Sequence, residues 1–118
     1  MNARREDTIK VINEELANAR LSRQNGNRGR TRVCARRAAG WAVGWYVESN
    51  RLAETHANAL EHLRWLETYP PAGDDVREAA TRLVTKLDPD GNPAFEQDPI
   101  EDARLIIQEL LGLDLGPL

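Results

Sequence analysis

Between Arg37 and Glu48 the chain carries no charge for ten residues, Ala38 to Val47, and apolar residues recur there at helical spacing. Cys34, Ala38, Trp41 and Trp45 form one row of a helix predicted over Arg30–Glu48. A helix with no charged face has to be covered on most sides, which makes it the centre of the fold. Gly40 and Gly44, four residues apart, each cost about 1 kcal/mol of helix propensity relative to alanine. With Ala35, Ala39 and Ala42 they thin the helix and predict a close approach by a neighbouring backbone. The uncharged run is far short of the roughly 20 residues a membrane span needs, so no membrane association is expected.

The flanking segments supply the covering helices. Ile9, Ile12, Leu16 and Ala19 predict a first helix over Ala3–Ser22, broken by Asn25-Gly26-Asn27. Asn50 is a candidate N-cap for a third helix running to Thr68, on which Leu52, His56, Ala59, Leu63 and Leu66 share a stripe. One unbroken helix from Arg30 to Thr68 is the alternative, longer than most globular helices. Tyr69-Pro70-Pro71-Ala72-Gly73 is a linker, and Asp74 or Asp75 can cap a fourth helix over Val76–Leu87. Asp88 to Pro93 is turn chemistry. The last helix has the clearest start: Asp98 at the N-cap, Pro99 at N1 and Glu101 at N3, with Gly112 as C-cap. Residues 111–118 are expected to fray or to dock on a partner. With no period-two alternation and no long repeat, the chain reads as one all-α domain over residues 1–118, a bundle of four to five helices with short loops.

At 118 residues the chain is long enough for a core without covalent staples. A single cysteine, Cys34, excludes a disulfide framework or a cysteine-based zinc cluster, and a charged N-terminal stretch offers no signal peptide, so a cytoplasmic location is expected. The net charge of −3 hides a division. Residues 1–59 carry a net +5 and residues 60–118 a net −8. The two halves neutralise each other in the fold or across a dimer, or else the basic half binds an anion.

Two groups of residues could carry function. Arg28, Arg30, Arg32, Arg36 and Arg37 fall within ten residues at the start of the second helix. Guanidinium groups hold phosphate oxygens bidentately, and a helix N-terminus favours an anion, so this cluster is a candidate site for RNA or another phosphate-bearing ligand. Its alternative is an arginine face paired with the acidic half. The second group is Arg51 and His56. Histidine can act as general acid or base near neutral pH, and arginine can stabilise charge on a phosphorane, so the pair would serve metal-independent RNA cleavage. Five residues are about 140° apart on a regular helix, so the two converge only if Arg51 sits at a helix start. His56 and His62 do not make a metal pair. A calcium loop from Asp88 would need glycine at its sixth position, where Pro93 stands. With no P-loop or dinucleotide fingerprint, neither metal nor cofactor is expected. Trp41, Trp45, Trp65 and Tyr46 are expected in the core or at a dimer interface.

An all-helical chain of this size with an arginine-x4-histidine element resembles the HEPN superfamily of helical-bundle proteins. The resemblance implies a symmetric dimer and, where the motif is catalytic, a ribonuclease using Arg51 and His56. Leu52 stands where family motifs often carry a polar residue after the arginine, and the motif lies early in the chain. The expectation is therefore a dimeric binding or interaction module with an arginine-rich anion- or RNA-binding face, or a protein partner there. The alternative is the ribonuclease.

Overall fold

The computed structural model describes residues 2–52, 58–86 and 95–113, with side chains from Arg5 onward. Five α-helices follow one another: α1 (Asn2–Gln24), α2 (Arg28–Ser49), α3 (Ala59–Glu67), α4 (Asp74–Val84) and α5 (Pro99–Leu111). A 3₁₀ turn at Pro70–Ala72 occupies the proline linker. Among the described residues there is no strand, and no helix is long and apolar enough to cross a membrane.

The uncharged segment takes the central place its composition requires. α2 touches α1, α3, α4 and α5. Ala38, Ala39, Ala42, Val43 and Val47 are buried on it, and they meet Ile12, Leu16 and Ala19 of α1, Leu63 and Leu66 of α3, and Ile100, Ile106 and Ile107 of α5 in one core. The two glycines mark the crossing with α3. A Cβ at Gly40 would lie 2.5 Å from the Cβ of Ala59, and one at Gly44 would lie 2.9 Å from Cε1 of His62. The propensity lost at both positions is exchanged for a close helix contact, which alanine would block at Gly40 and crowd against the movable His62 ring at Gly44.

The α1–α2 corner is built by paired capping. Gly26 adopts φ 74°, its amide donates to the Arg23 carbonyl, and the Asn27 amide donates to Ser22. Asn27 then begins α2, its side chain accepting from the Arg30 amide at 3.0 Å. The helix therefore starts at Arg28, two residues before the expected Arg30.

The third helix departs further from expectation. Asn50 does not begin a helix. It ends α2, with its side-chain amide donating to the Tyr46 carbonyl. Arg51 follows at φ 52°, and the amides of Arg51 and Leu52 donate back to Glu48 and Val47. This is the closing motif usually made with glycine at the left-handed position, here made with arginine. α3 begins only at Ala59, where Asn58 is the N-cap and accepts from the Glu61 amide. Leu52 is thus an exposed turn residue, and neither a continuous helix from Arg30 to Thr68 nor one from Asn50 exists. α4 ends at Val84, short of Leu87, which lies outside the described residues, as does the turn from Asp88 to Pro93.

α5 starts and stops as its sequence says. The Asp98 side chain accepts from the Ile100 amide, Pro99 is the first helical residue, and Gly112 takes φ 66°. Leu111 belongs to the helix and is buried, so the expected frayed tail does not include it. Residues 114–118 lie outside the described residues.

Candidate functional site

Only part of the arginine cluster shares a surface. Arg32 is 8% exposed, and its Nη2 donates to the carbonyls of Arg82 at 2.9 Å and Leu83 at 3.3 Å, and to that of Thr85. It closes the C-terminal turn of α4, whose last carbonyls have no partner within the helix. Burial, and next the neighbouring Arg36, lower its pKa, while Asp102 opposes both. Arg32 is therefore not on the solvent-facing arginine surface. Arg28 and Arg30 are exposed at the α1–α2 corner. The N-terminal amide of α2 that an anion would use at Arg30 is already taken by Asn27.

Arg36 and Arg37 face a groove of about 770 Å³ between α1, α2 and the start of α3. Thr8 and Glu15 line it from α1, and Asn58, Ala59, Leu60 and His62 from α3. Its floor is α2, from Val33 through Arg36, Arg37 and Trp41 to Glu48. Gly40 and Gly44 let the α3 wall of the groove lie close on α2, since a Cβ at either would run into Ala59 or His62.

Two polar atoms in this groove are buried without a hydrogen-bond partner: Nε of Arg36 and Nε2 of His62. Burial lowers the pKa of Arg36, and the like charge of Arg37 lowers it further. Burial also lowers the pKa of His62, outweighing the opposite pull of Glu61 and of the Gly40 carbonyl that accepts from the ring. The groove thus holds a desolvated guanidinium beside a second one, and on its lining a histidine that prefers to be neutral.

Apolar surface accompanies these groups. Trp41 is 50% exposed and Val33 is 37% exposed, both on the groove. Trp45, Trp65 and Tyr46 are half-buried against the core, as expected of tryptophan and tyrosine in a bundle. Trp65 stacks on Tyr69 with ring centroids 4.7 Å apart, and the Tyr46 and Tyr69 hydroxyls lie 3.3 Å apart. Trp41 is the exception among the tryptophans.

The structure does not bring Arg51 to this groove. It stands on the exposed turn that ends α2, and His56 lies outside the described residues. Sequence spacing treats His62 only as half of a histidine pair unsuited to a metal, and does not show that it lines this groove. The only sequence signal for it was Gly44, whose missing side chain leaves room for the ring. Among the described residues no cluster of three potential metal ligands occurs.

Part of the charge division is resolved inside the molecule. Arg23 at the end of α1 pairs with Asp98 at the start of α5. Within the acidic half, Arg82 holds Asp102 through two nitrogens, at 2.8–3.2 Å. No family model, no curated protein and no solved structure matches the chain.

Proposed function

We propose that this chain works by binding, as an interaction module whose partner brings an acidic group to Arg36 and Arg37 and apolar surface to Trp41. The observation that carries this reading is the Nε of Arg36, buried in the groove with no acceptor. A buried, unpaired donor on a charged group costs free energy that a phosphate or carboxylate acceptor would recover. The half-exposed Trp41 beside it offers the kind of aromatic anchor that is enriched where binding energy concentrates.

The test is fluorescence anisotropy with a labelled single-stranded RNA of mixed sequence, titrated at low and moderate salt. If the acidic group is a phosphate, binding weakens as salt rises, and Arg36→Gln with Arg37→Gln removes most of it while Arg51→Gln does not. If RNA is not retained even at low salt, the phosphate-binding reading of Arg36 and Arg37 is overturned. The ribonuclease alternative would use Arg51 and His56. Labelled RNA incubated with the protein in EDTA stays intact under the binding reading, and cleavage lost in His56→Ala would replace it.

A further inference from the structure

Glu48 already has a partner, so the charges left for a ligand on the groove are those of Arg36, Arg37 and Glu15. Among the described residues none of these three enters an ion pair. Together they carry one net positive charge. A polyanion would bring further negative charges onto a wall that holds Glu15, whereas a single carboxylate balances the site. The other groups follow in order along α2. Trp41 is four residues beyond Arg37, about 6 Å along the axis, and Gly44 is three residues further, about 4.5 Å. His62 of α3 covers Gly44. Its ring donates to the Gly40 carbonyl and its Nε2 has no partner, so the neutral ring keeps its proton on Nδ1 and offers a lone pair at Nε2. The groove thus presents two guanidinium groups, a half-exposed indole and an acceptor at successive levels of one helix. Its 770 Å³ falls within the range of about 300–1,000 Å³ found for sites that hold one small molecule.

We infer that the groove binds a small aromatic monocarboxylate whose ring carries a hydroxyl or N–H group. The inference rests on the reading that Arg36 and Arg37 receive an acidic group, and it names the kind of molecule that brings one. The carboxylate accepts from Arg36 and Arg37, supplying the acceptor that Nε of Arg36 lacks. The ring stacks on the exposed face of Trp41, one helical turn away, a distance that a two-carbon linker between carboxylate and ring spans. The hydroxyl or N–H then points along α2 toward His62 and donates to Nε2. Each buried polar atom left without a partner by the chain itself gains one from the same ligand.

The test is calorimetric titration of the full chain with para-hydroxyphenylpropionate, its uncharged amide and phenylpropionate, with circular dichroism to verify folding of each variant. The hydroxy acid binds, one molecule per chain. Exchanging it for the amide, or the protein for Arg36→Gln with Arg37→Gln, weakens binding by roughly tenfold or more. Trp41→Ala weakens it as well, and Arg51→Gln, away from the groove, leaves it unchanged. Phenylpropionate binds several-fold less tightly than the hydroxy acid in the wild type, and equally in His62→Leu, because the hydroxyl has lost its acceptor. Absence of binding at millimolar ligand overturns the inference. So does an amide that binds as well as the acid, an exposed-site variant Arg37→Gln or Trp41→Ala that binds like the wild type, or a hydroxyl advantage that persists in His62→Leu. RNA retained through Arg36 and Arg37 without binding of the acid overturns this inference alone, whereas a chain that binds neither removes the interaction-module reading as well.

Discussion

Gly40 lies against Ala59 so closely that a Cβ on the glycine would fall 2.5 Å from the Cβ and 2.7 Å from the Cα of its neighbour. The obstacle is partly backbone, at the first residue of α3, and cannot rotate away. Overpacking of this kind costs about 1–3 kcal/mol, against a gain of about 1 kcal/mol in helix propensity. Gly40→Ala therefore lowers stability, read as a lower urea midpoint. Gly44→Ala meets only the movable ring of His62 and costs less.

Arg82 of α4 and Asp102 of α5 join the two helices through a largely buried ion pair. Asp102 is 5% exposed and accepts from both Nε and Nη2 of Arg82. Removing the cation leaves the carboxylate buried and unpaired, a change that costs about 3–5 kcal/mol. Arg82→Met is expected to lose stability in that range by chemical denaturation, with Asp102→Asn less severe because the amide removes the charge itself.

Arg32 is predicted to be a fold residue. Arg32→Met frees the carbonyls at the end of α4 and costs about 1–3 kcal/mol. Amide exchange should quicken across α4 and α5, while RNA retention per folded molecule stays at the wild-type level. Loss of RNA affinity in a folded Arg32→Met would return this residue to the anion surface.

Acidification should destabilise the protein through His62. Its pKa in the folded state lies below the ordinary histidine value, chiefly because of burial. The unfolded chain then binds the proton more readily, so stability is full above the unfolded value, near pH 6.5, and declines as the pH falls toward the folded value. Comparing urea midpoints at pH 7.5 and pH 5 in the wild type and in His62→Gln isolates the contribution. The variant should lose less stability over that interval.

The sequence was most legible where one signal served one purpose. Asp98-Pro99 and Gly112 bracket α5 because each residue type suits the terminus where it stands. The charge-free run placed α2 at the centre, and Gly40 and Gly44 announced its close neighbour. The α2–α3 boundary was illegible for a physical reason. The left-handed position is filled by Arg51 instead of glycine, and Asn50, a good N-cap type, serves as a C-cap. Periodicity across Leu52 and His56 then suggested a helix that the closing turn interrupts. The arginine cluster misled in another way. Spacing predicts which residues share a helix face, but not that Arg32 reaches the end of a helix 50 residues further on. Nor could the pattern separate the half-exposed Trp41 from the half-buried Trp45, both of which line the groove.

The position of α2 also orders the events by which the chain becomes a fold. Its partner on one side, α1, precedes it by a three-residue corner, so that hairpin closes with little loss of chain entropy. Its partner on another side, α5, is synthesised 50 residues after α2 ends. Until α5 emerges, the face of α2 that will meet Ile100, Ile106 and Ile107 is bare and sticky. A nascent chain stalled before Pro99 would thus display an unprotected apolar helix, and the window for misassociation closes only when the last helix docks and Arg5 reaches the Leu111 carbonyl.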